Sequence, residues 1–258
     1  PCRRQDNYGL FAYKVHSKIC LITRRERGAV RHITQVGTGN YNEKTAKQYT
    51  DVSLITADER IGQDAGAFFN NMALGNLSGR YSRLFVAPTS LKNNILALMD
   101  EQIAKGKDGY ILLKFNSLTD IDVIAKLREA SCAGVTVEMI VRGICCLLPG
   151  VPGHTGDEEK MYISSADLMT RNTERRVEIA CPIDDPAVRT RLHDILYAMQ
   201  HDTVKARVLQ PDGTYCKKPA VQDPICAQDL LMQQAIENAR KQAAQPAPHP
   251  GFLEKIRK

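Results

Sequence analysis

Two residues with the chemistry of a nucleophile and a cation lie close together in the segment 13–22, Tyr-Lys-Val-His-Ser-Lys-Ile-Cys-Leu-Ile. Side chains of a β-strand alternate between its two faces, so an extended segment places His16 and Lys18 on the same face. A neutral imidazole can attack phosphorus, and a neighbouring ammonium neutralises phosphoryl oxygens in the transition state. The pair therefore predicts phosphoryl chemistry. A His-x-Lys tripeptide alone is also typical of an ordinary half-exposed strand.

A loop of small residues follows this strand. Residues 24–28 predict a hairpin turn, residues 29–36 a returning strand, and Gly37–Asn40 a tight loop beside the histidine strand. Glycines let backbone N–H groups approach an anion closely, and the side chains of Thr38 and Asn40 can donate hydrogen bonds to phosphoryl oxygens. Thr38 and Asn40 are therefore candidate phosphate-binding residues.

The strand and the loop together resemble the signature of the phospholipase D superfamily, although the acid that this signature carries after the lysine is Thr23 here. Longer segments are similar to type-1 polyphosphate kinase, and they cover residues 15–18, 37–45, 49–51, 141–146 and 162–172. The similarity runs from about Tyr8 to Tyr215 and corresponds to the C-terminal catalytic half of that family.

The resemblance implies a polyphosphate kinase in which His16 accepts the terminal phosphoryl group of ATP and passes it reversibly to polyphosphate. Lys18 would neutralise charge, Tyr49 and Arg142 would bind ATP, and Mg²⁺ would accompany the nucleotide. The protein ligands of the metal stay unassigned. The implied partners are ATP, ADP and inorganic polyphosphate, in a homo-oligomer that is cytoplasmic or peripheral to the membrane.

Further candidates lie at the ends of later predicted strands. Arg142 ends the strand 135–142, and ligands of α/β sheets collect at such carboxyl ends, where a guanidinium can bind two phosphoryl oxygens. Ser165 lies in the segment 164–167, which follows a strand as Gly37–Asn40 does. Three arginines cluster beside it, and a polyanion would be their natural counter-charge. From these features the candidate phosphate-binding residues are Ser165, Arg171 and Arg176. Two alternatives stay open. The arginines can be solvated residues at a strand edge, and Tyr49 can occupy a core position.

The remaining pattern predicts an α/β fold. A capping box at Thr56–Glu59 begins a helix of about 15 residues, and strands at 84–87, 110–115 and 135–142 alternate with helices at 91–105 and 121–133 as parallel βαβ units. With the resemblance, this gives two phospholipase D-like lobes with mixed sheets flanked by helices, the first lobe incomplete. The predicted boundaries are 1–82 for the first lobe, 83–218 for the second and 219–258 for a helical, proline-rich tail.

The sequence departs from the family pattern in one respect that bears on the chemistry. The family carries a second functional histidine on a strand between the segments that match Arg142–Gly143 and Ser164–Asp167, and only a short Pro/Gly stretch stands there. His154 lies in that stretch, so the role is not transferred to it. We therefore expect a fragment, or a sequence from which stretches near Thr155 have been left out. His249, in the proline-rich tail, is expected to be inert.

Composition bounds the class of protein. The chain has 258 residues, of which 43% are hydrophobic and 25% charged, enough for one or two cores, and it has no apolar run of membrane-span length. Eight cysteines without a Cys-x-x-Cys spacing are typical of reduced thiols in a cytoplasm. The net charge of +6 favours a polyanionic partner. Nucleic acid is the weaker choice, because Trp is absent and aromatic residues are 6%.

Three classes of function stay open at this point. The first is an ATP:polyphosphate phosphotransferase, the second a noncatalytic polyanion-binding fragment, and the third a phosphodiesterase of the phospholipase D kind. A hydrolase of that kind would need two His-Lys-Asp sets, which Thr23 and the missing second histidine disfavour. A binding-only fragment would hold polyphosphate without taking label from γ-labelled ATP.

Overall fold

The computed structural model describes residues 12–26, 28–147, 160–219 and 221–244. The chain forms two units, of which the first ends at Arg189 and includes residues 210–213, and the second runs from Thr190 to Leu209 and resumes at Thr214. The observed architecture confirms the predicted α/β class with mixed sheets and helices. Within the described residues, no helix is both long and apolar enough to cross a membrane.

The first unit begins with a three-stranded antiparallel sheet. Strand β1 is Lys14–Val15, β2 is Lys18–Glu26, β3 is Ala29–Gly37 and β4 is Ser53–Thr56, with the sheet order β2-β3-β4. Helix α1 is Glu43–Ala46 and helix α2 is Glu59–Ala73. Helix α2 packs against β2 and β3 and buries Ile61, Ala65 and Phe68. This packing holds β2 and β3 in one rigid layer beside the loop that follows β3.

Two details of this region differ from the sequence predictions. The predicted continuous strand 13–22 is broken at His16 and Ser17, because the N–H groups of both residues donate to the Val177 carbonyl, at 2.9 and 3.0 Å. The backbone thus changes partner between β1 and β2. Helix α2 is capped by Asp58, whose carboxylate accepts from Arg60 and Ile61, and the predicted N-cap Thr56 instead accepts from the N–H of Asp58.

The next part of the first unit carries a parallel strand pair and an antiparallel sheet. Its elements are β5 (Phe85–Val86), α3 (Leu91–Lys105), β6 (Tyr110–Phe115), α4 (Ile121–Cys132), β7 (Thr136–Val141), β8 (Tyr162–Ser164), α5 (Thr170–Glu174), β9 (Arg176–Val177) and β10 (Ile179–Pro182). Strands β6 and β7 pair in parallel, as the sequence predicts. Their apolar face joins α3 and α4 in a core that includes Leu118, Val123 and Leu127.

The strand predicted at 84–87 is not part of that parallel pair. It is the two-residue β5, which pairs antiparallel with β10, and β10 also pairs antiparallel with β8. The extended segment after α5 is divided into β9 and β10, and β9 pairs in parallel with β1. Glu178 lies in the interruption between β9 and β10, with no exposed side-chain surface. The strand switch therefore delivers a buried carboxylate to the place where β1 meets β9.

The second unit holds shorter elements. Helix α6 is Pro186–Gln200 and crosses the division between the units, while β11 (Arg207–Leu209), β12 (Tyr215–Lys217) and α7 (Ala227–Ala244) follow. Strands β11 and β12 form an antiparallel hairpin. The proline-rich tail with His249 lies outside the described residues. The domain boundaries placed after residues 82 and 218 stay predictions.

Candidate active site

His16 occupies the point where the chain passes from β1 to β2. Its side chain is 27% exposed, and its backbone is fixed by the hydrogen bond from its N–H to Val177. The Nδ1 atom of its ring lies 2.9 and 3.0 Å from the two carboxylate oxygens of Glu178. A half-buried imidazole with one nitrogen fixed in this way presents the other nitrogen in a single direction.

Lys18 is the second charged residue in contact with the ring. Its Nζ atom lies 2.9 Å from Nε2 of His16 and 3.1 Å from Nδ1. The side chains of His16 and Lys18 are therefore in contact, in agreement with the prediction that they share a face, although residues 16 and 17 interrupt the strand. The imidazole of His16 thus contacts both the carboxylate of Glu178 and the ammonium of Lys18.

Glu178 is fully buried and is held by three polar neighbours besides His16. The Ser165 hydroxyl donates to Oε2 at 2.6 Å, and the Asn172 amide donates to Oε1 at 3.0 Å. The Arg176 guanidinium lies 3.9 Å from Oε1. These contacts compensate the cost of burying the carboxylate and fix its orientation toward the imidazole.

The ammonium of Lys18 is in an unusual environment for a lysine, with only 5% of the residue exposed. Burial lowers its pKa, and the negative charges of Glu178 and Asp51 oppose that effect. The positive charges of Arg176 and Lys14 lower the pKa further. A partly desolvated cation of this kind gains more from an incoming anion than a solvated lysine does.

The loop after β3 lies directly beside Lys18, because Gly37 is its cross-strand partner. The Thr38 hydroxyl donates to Oδ1 of Asp51 at 3.0 Å and accepts from the N–H of Val52 at 3.0 Å. A methyl group at Gly39 would come within 2.0 Å of Oδ2 of Asp51. The glycine is therefore required so that the carboxylate can sit against the loop. Asn40 is exposed, and its backbone carbonyl accepts from the backbone N–H of Asn42.

Tyr49 and Arg142, the predicted nucleotide-binding pair, are in contact. The Arg142 guanidinium carbon lies 4.7 Å from the centre of the Tyr49 ring, which is a cation–π distance. Tyr49 is 45% exposed, so the open alternative of a core position is wrong. The two residues come from the segments that the sequence assigns to the predicted first and second lobes.

The end of β7 that carries Arg142 is fixed by neighbouring loops. The Gly143 N–H donates to the Asn116 carbonyl at 2.7 Å, and a side chain at Gly143 would meet that oxygen. Oδ1 of Asp167 in turn accepts from the N–H groups of Asn116 and Ser117, at 2.8 and 3.2 Å. The segments that the sequence singled out around Arg142 and Asp167 therefore form one structural unit.

Of the remaining predicted site residues, some contact Glu178 and others do not. Arg176 lies beside Glu178, whereas Arg171 is exposed on α5 and, in the described part of the chain, makes no hydrogen bond or ion pair with the other candidates. Ser165 donates its hydroxyl hydrogen to Glu178. The Thr23 hydroxyl is 3.0 Å from Nδ1 of its cross-strand neighbour His32. Phosphate contacts for Thr38, Asn40, Ser165, Arg171 and Arg176 stay predictions.

Sequence reasoning missed Glu178. It singled out only Arg176 in this segment, and the pairing of β1 with β9 that brings the segment to His16 joins elements far apart in the chain. One signal was present, since a glutamate between Val177 and Ile179 lies in an apolar run where an unpaired charge would be costly. The missing second histidine strand and His154 fall on residues 148–159, outside the described residues.

Comparisons with known proteins agree with this arrangement. The family model for polyphosphate kinase C-terminal domain 1 matches residues 5–77, and the model for C-terminal domain 2 matches residues 84–157 and 154–228. This chain belongs to the polyphosphate kinase family. A polyphosphate kinase of Staphylococcus haemolyticus is 38% identical over an alignment of 272 positions that covers 94% of this chain. One from Rhodopirellula baltica is 41% identical over 95% of this chain.

A solved structure is similar as well. The crystal structure of polyphosphate kinase from Porphyromonas gingivalis matches with a TM-score of 0.80 and 35% identity, over 90% of this chain and 40% of that one. The chain spans 38% of the Staphylococcus haemolyticus protein and 32% of the Rhodopirellula baltica protein. The chain therefore corresponds to a part of the longer polyphosphate kinases that it matches.

Proposed function

We propose that this chain carries the phosphoryl-transfer site of an ATP:polyphosphate phosphotransferase, with His16 as the residue that is phosphorylated. The observation that carries the proposal is the contact of one imidazole with a buried carboxylate and an ammonium, at 2.9 Å from each. A carboxylate that accepts from one ring nitrogen and a cation at the other are what phosphoryl transfer to an imidazole requires.

Glu178 sets the tautomer of the nucleophile. When its carboxylate accepts the proton of Nδ1, the lone pair of the imidazole is on Nε2, which then attacks the terminal phosphorus of ATP. The bond from Nε2 to phosphorus forms, the bond from phosphorus to the bridging oxygen breaks, and the electron pair leaves with ADP. The imidazole becomes positively charged during attack, and the buried carboxylate stabilises that charge.

The ammonium of Lys18 supports the same step. Its ammonium donates to Nε2 in the absence of substrate, so the lone pair becomes available when the ammonium turns to a phosphoryl oxygen. Little covalent chemistry is left for the protein in phosphoryl transfer, and charge neutralisation carries most of the catalysis. In the second half-reaction a terminal oxygen of polyphosphate attacks phosphorus, and the electron pair of the broken bond returns to Nε2.

Tyr49 and Arg142 are proposed to bind ATP. The guanidinium fork of Arg142 suits two phosphoryl oxygens, and its stacking on Tyr49 fixes the plane of the fork at low entropic cost. ATP, ADP and inorganic polyphosphate are accordingly the proposed partners. The residues proposed to line the path of the polyphosphate are Thr38, Asn40, Arg171 and Arg176. Ser165 acts on that path indirectly, through its hydrogen bond to Glu178. A homo-oligomer and a cytoplasmic or membrane-peripheral location also stay predictions.

Mg²⁺ is proposed to enter with the nucleotide. Among the described residues, no group of three His, Cys, Asp or Glu side chains could hold a metal ion. Mg²⁺ commonly binds one or two carboxylates and otherwise phosphate oxygens and water, so a single carboxylate beside the bound nucleotide is enough to fit a nucleotide-borne ion. Asp51, beside the Gly37–Asn40 loop, is the carboxylate that would hold it. The ion would neutralise the charge of the phosphate oxygens that it bridges.

The experiment that tests the proposal is labelling of the chain with γ-labelled ATP and Mg²⁺. We expect acid-labile, alkali-stable label in the wild type and none in His16→Ala, because phosphohistidine has that stability pattern. His193→Ala is the matched control, since His193 is exposed on α6 and has no role in the proposal. Unlabelled wild type that still binds polyphosphate would establish the noncatalytic alternative instead. Release of an alcohol and a phosphomonoester from a phosphodiester would establish the phosphodiesterase.

A further inference from the structure

Lys114 lies on β6 and belongs to none of the predicted site residues. In the parallel ladder it pairs with Ile140 of β7, so it shares a sheet face with the residue two positions beyond, Arg142. Ile111 and Phe115 of the same strand point to the opposite face, where they join the apolar core. The strand register therefore places two cations side by side on the face that Arg142 presents to Tyr49.

The ammonium of Lys114 makes no hydrogen bond and no ion pair within the residues that the structure describes. Its side chain is accessible to solvent, yet desolvation lowers its pKa. The positive charge of Arg142 lowers the pKa further, and the negative charge of Asp51 opposes both effects. The register with β7 brings this side chain beside the exposed Arg142 on one accessible sheet face. Two neighbouring cations there repel each other until an anion binds.

Lys114 also borders the site of His16. The Asp51 carboxylate acts electrostatically on Lys114 and on Lys18, and Lys18 contacts the imidazole. Asp51 is itself held by the Thr38 hydroxyl. One acidic group thus lies within the field of cations from both lobes, and the local charge stays positive.

We propose that Lys114 and Arg142 together bind the phosphoryl oxygens of the substrate, with Lys114 as a point charge and Arg142 as the bidentate ligand. This inference rests on the proposed function and adds a substrate-binding residue to it. The ligand class is a linear phosphoanhydride, which can be the phosphates of the nucleotide or the polyphosphate chain. An ammonium suits such a ligand because it can donate hydrogen bonds to phosphoryl oxygens in several directions.

The test is binding of two probes, inorganic tripolyphosphate and a non-hydrolysable ATP analogue with Mg²⁺, to the 258-residue chain by calorimetry at several salt concentrations. We expect Lys114→Met to weaken binding of at least one probe about tenfold and to reduce the magnitude of the salt slope by about one, since one ion contact is lost. Loss with tripolyphosphate alone assigns Lys114 to the polymer, loss with the analogue alone to the nucleotide, and loss with both to a shared position.

The matched control is Lys107→Met, which removes the same charge from an exposed lysine in the turn Gly106–Asp108 before β6. Lys114→Arg should retain most of the affinity because the charge is kept. The melting temperature of Lys114→Met should equal or exceed that of the wild type, since a desolvated charge has been removed. Unchanged affinity for both probes in Lys114→Met overturns the inference, and unchanged labelling of His16 in the same sample shows that the proposed function survives it.

Discussion

The Nδ1 atom of His16 lies 2.9 Å from a carboxylate oxygen of Glu178, a residue 162 positions later in the chain. The contact depends on β1 pairing in parallel with β9, which joins residues 14–15 to residues 176–177. The proposed nucleophile and the carboxylate beside it therefore come together only when these distant segments have paired. This dependence makes Glu178 the sharpest point at which to test the proposed mechanism.

Glu178→Gln removes the charge and keeps the shape of the side chain. We expect the rate of His16 labelling from γ-labelled ATP to fall about 100-fold to 1,000-fold, because the tautomer is no longer fixed and the developing imidazolium loses its counter-charge. The rate is measured by rapid quench on folded protein. Glu129→Gln, which loses only a surface ion pair with Lys126, should label at the wild-type rate. Equal rates in the two variants would rule out the role assigned to Glu178.

Elements with a strong local signal could be predicted from the sequence. Helix α3 and strand β6 have the predicted bounds, 91–105 and 110–115, because apolar periodicity and the following Gly106 and Gly109 fix them locally. The proximity of His16 and Lys18 was also predictable, since it needs only two residues of extended chain. The partner of β1 was not predictable in this way, because strand pairing across such a separation leaves no local pattern.

Lys18 gives the labelling reaction a characteristic pH dependence. Burial lowers the pKa of its ammonium, so the catalytic charge is present below that pKa and is lost as the pH rises through it. The alkaline decline in rate should therefore begin below about pH 10.4, the value of a free lysine. In Lys18→Arg this decline should move to higher pH, since a guanidinium stays protonated. The measurement is the labelling rate from pH 7 upward, and declines at the same pH in both proteins would contradict the assignment.

Gly39 tests the geometry of the loop beside Lys18. In Gly39→Ala the added methyl would lie 2.0 Å from Oδ2 of Asp51, so either the carboxylate or the loop must move. We expect the labelling rate and the affinity for tripolyphosphate to fall at least tenfold, with a small change in melting temperature. Gly66→Ala is the control, because its methyl would make only an ordinary van der Waals contact, 3.9 Å from Cδ2 of Leu21, and alanine in α2 should stabilise the helix by about 0.5–1 kcal/mol. Wild-type activity in Gly39→Ala would show that the loop has no part in catalysis.

The candidate site residues also divide into those with a local signal in the sequence and those that only the folded structure reveals. The sequence indicated Thr38 and Arg142 as candidates, because residue types identify the loop that contains Thr38 and the predicted strand end that contains Arg142. Lys114 was missed, since a lysine inside the apolar segment 110–115 has the pattern of an ordinary solvated strand face. Its importance follows from the register with β7, which only the folded structure supplies.

Asp202 tests the stability of the second unit independently of the site. Its carboxylate is 5% exposed and accepts from the N–H groups of four residues, Val204, Lys205, Ala206 and Ala227. Burial would raise its pKa, but these hydrogen bonds outweigh that effect and lower it. A carboxyl whose pKa is lowered by folding stabilises the fold above its unfolded pKa of about 3.9, and the contribution is lost as the pH falls through the folded pKa.

Asp202→Asn should therefore lower the free energy of unfolding of this unit by about 1–3 kcal/mol at pH 7 and flatten its decline in acid, because an amide nitrogen replaces one acceptor oxygen. Hydrogen–deuterium exchange is the measurement, with faster exchange expected at the amides of residues 204–206 and 227. Asp229→Asn, at an exposed position in the first turn of α7, should change exchange little. Equal protection in the two variants, or an unchanged acid limb in Asp202→Asn, would show that the four backbone hydrogen bonds do not stabilise this unit.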